Sequence, residues 1–312
     1  MISFQEFVGT DGTELPLPGS GATWRRFSTL AKWAAKDLSA GRLCEGHADA
    51  LAILYEAGMK PVVDASYGVW ASRSSVGGTV AERAPGGWRL SGSKAFCSGS
   101  GMVERALVTA DSSEGYLMFD VAVGEHVRSV VPNSWPAVGM ADSKSETLVF
   151  GGPVIGEDQR VGPPDFYTHR PGFWFGAAGV AACWYGGAVG LVNNLTAGMS
   201  SQASEHVFAD LGEAGAALEM MNHVLRHVAS SIDGDPLDRG GRAHFLALVA
   251  RQVVHDSAQT ILARVASAGG ARPLCLDPDQ ARRAADLYVY LAQHHGRADA
   301  TELGRMMTGG PS

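Results

Sequence analysis

Apolar residues recur at helical spacing in two separated parts of the chain, with a β-prone stretch between them. In residues 22–58, Trp24, Phe27, Ala31, Ala34 and Leu38 share one face at a period of 3.6. Leu51, Leu54 and Tyr55 repeat the pattern, and Gly58 supplies a helix stop. From about residue 62, short runs ("GWRLSG", "RALVTAD", "GYLMFDVAV", "ETLVF") alternate with Gly, Ser and Asp clusters, the pattern of a small antiparallel sheet or barrel. Prolines and glycines thicken in "GGPVIGEDQRVGPPDF", residues 151–166, and mark a boundary.

Past Pro171 the chain reads as helical again. Val207, Leu211, Ala214, Leu218, Met221, Leu225, Val228 and Ile232 step by four and three through residues 204–232, a seam suited to shallow packing in a bundle. "DGDPLDRGG" breaks the seam, and a second helix follows over 242–268 with Ala250, Val254, Ala258, Ile261 and Val265 inward. "GGARPLCLDPD" reads as a loop, and Asp277 or Asp279 caps a last helix over 279–295 with Ala284, Leu287, Tyr288 and Leu291 as its stripe. The expected organisation is multi-domain α and β: a short N-terminal helical segment (1–62), a small antiparallel β domain (63–165) and a C-terminal four-helix bundle (166–312).

Composition narrows the possibilities. At 312 residues the chain can bury a sizeable core, and 46% hydrophobic with 18% charged residues argues against disorder. A net charge of −7 with no basic run argues against a nucleic-acid partner. Cys44, Cys97, Cys183 and Cys275 form no C-x-x-C pair, so no zinc site or disulfide framework is indicated, and reduced cytoplasmic thiols are expected. "MISFQEFVGTDG" lacks the basic and apolar regions of a signal peptide. Residues 171–203 carry no charge and 173–195 are long and apolar enough to cross a bilayer. Their Gly and Ala content, the polar "NN" end and the absence of a flanking basic cluster predict a helix buried in the bundle, with no membrane. The glycine clusters Gly77-Gly78, Gly186-Gly187 and Gly269-Gly270 form no G-x-G-x-x-G after a strand, which removes support for a Rossmann domain.

Three segments carry a family resemblance. "GGWRLSGSKAFCSGSGMVERALVTAD", residues 86–111, resembles the β-domain signature of acyl-CoA dehydrogenases and their flavin monooxygenase relatives: a Gly-aromatic strand, L-x-G-x-K, an aromatic, a Ser/Thr, and a strand ending in Ala. "VGMADSKSETLVFGGPVIGED", residues 138–158, is similar to the family's later Gly-Met, Ser/Thr-rich and strand element. "QARRAADLYVYLAQHH", residues 280–295, resembles the tail of the branch containing the monooxygenases, in which an Arg, an Asp and a downstream His share one helix.

The resemblance implies an acyl-CoA dehydrogenase-like fold with FAD between the β domain and the bundle. It places Phe96, Cys97 and Ser98 at the flavin ring and Gly269-Gly270 between the last two helices, near the cofactor. Fixed donors at the ring tune its potential. The family's first flavin loop, Thr-Glu-Pro then Gly-Ser-Asp, is replaced by "VWASRSSVGGTV", residues 69–80, where Trp70, Ser72 and Ser75 offer stacking and hydroxyls and Arg73 an anion contact. The R-x-x-F-G element that helps hold the FAD pyrophosphate is replaced by "AGMSSQASEHVF", and the usual glutamate base has no match.

Dehydrogenation needs a base on the substrate face opposite the flavin. On the last helix Asp286, Tyr290 and His294 are spaced i, i+4, i+8, with Arg283 one turn before Asp286, so an Asp or Tyr could orient His294 as that base. A solvated edge of the apolar stripe gives the same spacing, and His295 fits that description too. Glu213 and Glu219 flank the bundle seam as surface charges, and Glu205 suits a helix start.

Three activities fit these residues. One is a flavin-dependent dehydrogenase acting on an acyl thioester such as acyl-CoA, or on a related carbonyl compound. The second is a flavin monooxygenase fed by a partner reductase. The third is a non-catalytic relative serving as a subunit or binding module. A small-molecule substrate and a homo-oligomer are expected, the latter because the shortened N-terminus leaves apolar surface to cover.

Overall fold

The structure is a computed structural model and describes residues 4–73, 78–199 and 203–308. Helices α1 (Phe4–Gly9) and α2 (Asp11–Glu14) precede the pair α3 (Thr23–Lys36) and α4 (Leu38–Glu56). Asp37 separates the pair: its backbone is extended, and its carboxylate accepts the Ala40 N–H at 2.9 Å, capping α4. Phe27, Ala31 and Ala34 are buried on α3 as their spacing predicts, Leu30 joins them, and Trp24 is half-buried. Tyr55 departs from the expected stripe and is exposed, since it follows the last buried run of α4, Ala52–Leu54.

The middle of the chain forms strands β1 (Tyr67–Trp70), β2 (Thr79–Ala84), β3 (Gly87–Cys97), β4 (Arg105–Ser112) and β5 (Gly115–Ala122), a short helix α5 (Val123–His126), and strands β6 (Val127–Val130) and β7 (Glu146–Phe150). They make one curled sheet in the order β1-β4-β2-β3-β7-β6, with β5 paired on β4. The expectation of an antiparallel sheet needs correction around β4, which runs parallel to β1 along its length and to β2 where Val80 pairs with Asp111. The β2–β3 hairpin intervenes in sequence, so the chain returns beside β1 in the same direction, which the alternation of short strands does not encode. Gly92 has φ +89°, and a Cβ there would lie 2.1 Å from the Gly78 carbonyl oxygen, so only glycine allows this close strand approach.

The rest is helical: α6 (Phe166–His169), α7 (Gly172–Ala197), α8 (Glu205–Gly234), α9 (Ala243–Gly269), α10 (Ala271–Leu276), α11 (Pro278–Leu291) and α12 (Arg297–Thr308). Helix α7 is long and apolar enough to cross a membrane, but 72% of its most apolar window is buried among the other helices. It packs on α3, α4, α8, α9 and α11. Close approach to α3 rests on small residues: a Cβ on Gly186 would lie 2.2 Å from the Ala31 carbonyl oxygen, and one on Gly190 would lie 2.3 Å from that of Ala35. The inward residues of α9 are those expected, and Asp277 caps α11 through the N–H groups of Asp279 and Gln280. Three expectations change. The segment read as a loop contains α10, α12 continues past the expected last helix, and Tyr288 faces solvent while Asp286 and Tyr290 join Leu287 and Leu291 on the buried face.

Candidate functional site

The β3 strand of the first family-like motif ends near the Gly139–Met140 segment, which meets α4 at Ser39 and α11 at Ala285 and Asp286. The β3–β7 register shifts between Lys94 and Cys97, a bulge that takes Ala95 and Phe96 out of the ladder. Phe96 has φ +62°, uncommon for a bulky side chain, and 63% of it is exposed. Its ring meets Trp135 edge-on, with centroids 6.4 Å apart. Trp135 Nε1 donates to the Met140 carbonyl at 2.9 Å, and the Met140 N–H donates to Asp286 Oδ1 of α11 at 2.5 Å. Gly139 sits against α11 as well, since a Cβ there would lie 2.0 Å from the Ala285 carbonyl oxygen. The exposed ring therefore stands on a segment clamped to the bundle.

Beneath Phe96 runs a ladder of hydroxyls. Ser98 Oγ and Ser145 Oγ are 2.8 Å apart, Ser145 Oγ and Ser143 Oγ 2.9 Å, and Ser143 Oγ donates to the Met140 carbonyl at 2.7 Å. Each buried hydroxyl thus has a partner, which rigidifies the loop. Ser98 lies at the expected junction, but its hydroxyl is bonded within the protein. Cys97 is fully buried, and its thiol pKa is pushed up by burial, so it is not poised to ionise.

The loop after β1 is likewise tied inward. Trp70 is buried and its Nε1 donates to the Ser98 carbonyl at 2.9 Å. Ser72 Oγ donates to the Ala95 carbonyl. Arg73 stacks 3.9 Å over the Tyr116 ring and lies 3.9 Å from Asp111. Ser75 falls outside the described residues. Gly269 ends α9 and abuts Pro273 and Leu195, with Gly270 following it as the cap residue.

The residues expected to act together on the last helix serve separate contacts, and no hydrogen bond joins them. Asp286 holds Met140 and receives Arg282 at 3.3 Å; burial raises its pKa, against the Met140 N–H and Arg282. Tyr290 packs edge-on to Trp184, its hydroxyl is buried without a hydrogen-bond partner, and burial raises its pKa. His294 lies beyond the end of α11, stacked on His255 with centroids 4.4 Å apart, and burial lowers its pKa. Its Nδ1 accepts the Gly296 N–H at 3.2 Å, which fits a neutral ring. Arg283 instead donates to the Ala35 and Lys36 carbonyls at the end of α3. His295 is exposed, as are Glu213, near Arg264, and Glu219, near His223.

Sequence reasoning missed Trp135, Ser143 and Ser145, although the last two lie in a motif it quoted. It also missed the ion pairs beneath α4, where Arg170 joins Asp49 at 3.2 Å and Glu56 at 2.5 Å, and Arg42 joins Glu45 at 2.5 Å. For a flavin, the junction offers a stacking surface at Phe96 and Trp135, while the hydroxyls and indole of the expected cradle are already bonded. The residues fit a ring resting on the junction rather than one enclosed by it.

No protein-family model and no curated protein sequence matches the chain. Solved structures do. The 3-HSA hydroxylase of Rhodococcus sp. RHA1 superposes with a TM-score of 0.78 at 15% identity, covering 97% of this chain and 88% of its own. TdsC of Paenibacillus sp. A11-2, solved with FMN and indole, gives 0.77 at 19%, covering 97% and 94%. KijD3, solved with FMN and a dTDP-linked amino-keto sugar, gives 0.81 at 17%, covering 99% and 86%. With the helices, curled sheet and bundle in the same order, the chain has the acyl-CoA dehydrogenase-like fold.

Proposed function

We propose that this protein is a flavin-dependent oxidoreductase of the monooxygenase type, which takes up reduced FMN from a partner reductase and acts on a small molecule. The carrying observation is Phe96, an aromatic ring exposed by a backbone bulge at the junction of sheet and bundle. Phe96 and Trp135 would hold the ring by stacking, worth about 0.5–1.5 kcal/mol per aromatic pair beyond buried area. The Ser98–Ser145–Ser143–Met140–Asp286 chain would keep that surface in place. A bound reduced flavin would supply two electrons to dioxygen, one oxygen atom entering the substrate and the other leaving as water. An open surface suits a flavin that arrives and departs.

Two features favour this reading over dehydrogenation of an acyl thioester. Dehydrogenation needs a base at the substrate, and of the expected candidates Asp286 holds Met140, the Tyr290 hydroxyl is buried, and His294 lies beyond α11 against His255. FMN rather than FAD is proposed because TdsC and KijD3 were solved with FMN and the pyrophosphate-holding arginine element has no match. A homo-oligomer is also proposed, supported by exposed Phe208 and Met220 on α8 and Val62 and Val63 after α4.

The Trp70–Ser98 hydrogen bond favours a second reading, a non-catalytic relative, because it fills the expected cradle from within. Titration of the protein with FMN, followed by flavin fluorescence, separates the two. Saturable binding supports the enzyme; no binding at high micromolar flavin leaves the non-catalytic relative.

A further inference from the structure

A pocket of about 270 Å³ opens among the strands, built from the loop after β1 (Ser72, Arg73), the start of β2 (Gly78, Thr79), β3 (Ser93, Lys94), β4 (Asp111) and β5 (Tyr116). Lys94 is buried, with only 4% of its surface exposed. Its Nζ donates to the Ser72 carbonyl at 3.0 Å and to Thr109 Oγ1 at 3.2 Å. Both acceptors are neutral, and an ammonium has three N–H donors. Among the described residues no carboxylate lies within ion-pair distance of Lys94: Asp111 instead faces Arg73 at 3.9 Å. Tyr116 is similarly anchored, bonding Thr109 Oγ1 at 2.6 Å and the Ala71 carbonyl at 3.2 Å, with the Arg73 guanidinium stacked on its ring.

A buried ammonium without a counter-charge is costly, and a buried charge is ordinarily paired. Among the described residues, two cations and one carboxylate share a polar pocket whose other lining groups are hydroxyls and backbone. We infer that this pocket binds a small oxyanion, a phosphate or carboxylate group, held by the third N–H of Lys94 and by Arg73. Charge-assisted hydrogen bonds of this kind are about twice as strong as neutral ones. At about 270 Å³ the space suits a fragment or one end of a ligand rather than a whole drug-sized molecule, for which pockets run from about 300 to 1,000 Å³. The site is separate from Phe96, so it stands whether or not flavin binds there.

Burial pushes the Lys94 pKa down to about 8, with Cys97 and Asp111 raising it and Arg73 lowering it. Tyr116, which lines the pocket with Lys94, Arg73 and Asp111, has its pKa raised by burial. Anion binding therefore weakens as pH rises through the range in which Lys94 loses its proton.

The test is isothermal titration of the full chain with inorganic phosphate and, separately, with acetate, at pH 7 and pH 9. Acetate does not titrate in that interval, so it reads Lys94 alone; the stronger of the two ligands identifies the group preferred. Saturable binding is expected, weaker by on the order of tenfold at pH 9. Lys94→Met should abolish it, and Arg73→Ala, at an exposed position where folding is not at stake, should weaken it by on the order of tenfold. The proposal is overturned if neither anion binds saturably, or if Arg73→Ala binds as tightly as the parent.

Discussion

The indole N–H of Trp70 donates to the carbonyl of Ser98 across 2.9 Å, joining the end of β1 to the end of β3 inside the protein. Both residues belong to segments that the family resemblance directs toward a cofactor, yet here each satisfies the other. Leaving the Ser98 carbonyl without its donor costs about 1–3 kcal/mol when such a group stays buried. Trp70→Phe should therefore lower unfolding stability by that amount while keeping most of the packing. Urea denaturation would measure it, and an unchanged midpoint would mean that the bond contributes nothing.

Asp286 joins the bundle to the sheet. Its Oδ1 accepts the Met140 N–H, and Met140 holds a left-handed backbone, φ +58°. Asp286→Ala strands that N–H and leaves Arg282 with Asp37 and Asp279, at an expected cost of about 1–3 kcal/mol. Asp286→Asn keeps an acceptor and should recover part of the loss. Equal destabilisation by both variants would show that the carboxylate charge, rather than the cap, matters.

The α3–α7 crossing depends on glycine. A methyl group on Gly186 would press on the backbone carbonyl of Ala31, which cannot rotate away. Gly186→Ala should destabilise by about 1–3 kcal/mol, the usual cost of overpacking, despite the better helix propensity of Ala. Gly212 on α8 has open space at its Cβ position, so Gly212→Ala is the control and should be neutral or stabilising. Thermal unfolding of the two variants would test the contrast.

His47 should contribute to acid sensitivity. Its Nδ1 accepts the Tyr67 N–H at 3.1 Å, and burial lowers its pKa to about 4. The unfolded state therefore binds the proton more readily. The stability that neutral His47 contributes is complete above about pH 6.5 and is lost as pH falls toward 4, by at most about 3 kcal/mol. His47→Asn keeps an acceptor for Tyr67 without a titrating ring. Its unfolding free energy should fall less steeply between pH 6.5 and 4; an identical slope would assign the acid limb to other groups.

The elements were legible where periodicity was strong. Met221, Leu225, Val228 and Ile232 are buried on α8, and the α9 seam lies inward, because a bundle helix must hide a continuous stripe. The position of Phe96 was legible because the motif around it is local. Its surroundings were not: Trp135 meets the ring, and Ser143 and Ser145 tie Ser98 to Met140, through turns whose spacing has no period. Asp286 was selected by helical spacing, which reports a face but not the neighbour that covers it. His294 shared that spacing only on paper, since α11 ends at Leu291 and the chain turns through Gly296 at φ +52°.

The central claim is that the ring of Phe96 receives a flavin. Its most direct test is fluorescence titration of the parent and of Phe96→Ala with FMN. Phe96 is exposed, so its removal should leave thermal stability within about 0.5 kcal/mol of the parent. The account predicts saturable binding by the parent and a loss of about two- to tenfold in affinity for the variant, the range expected for one aromatic contact. No saturable binding by the parent, or equal affinity of the two proteins, would contradict it.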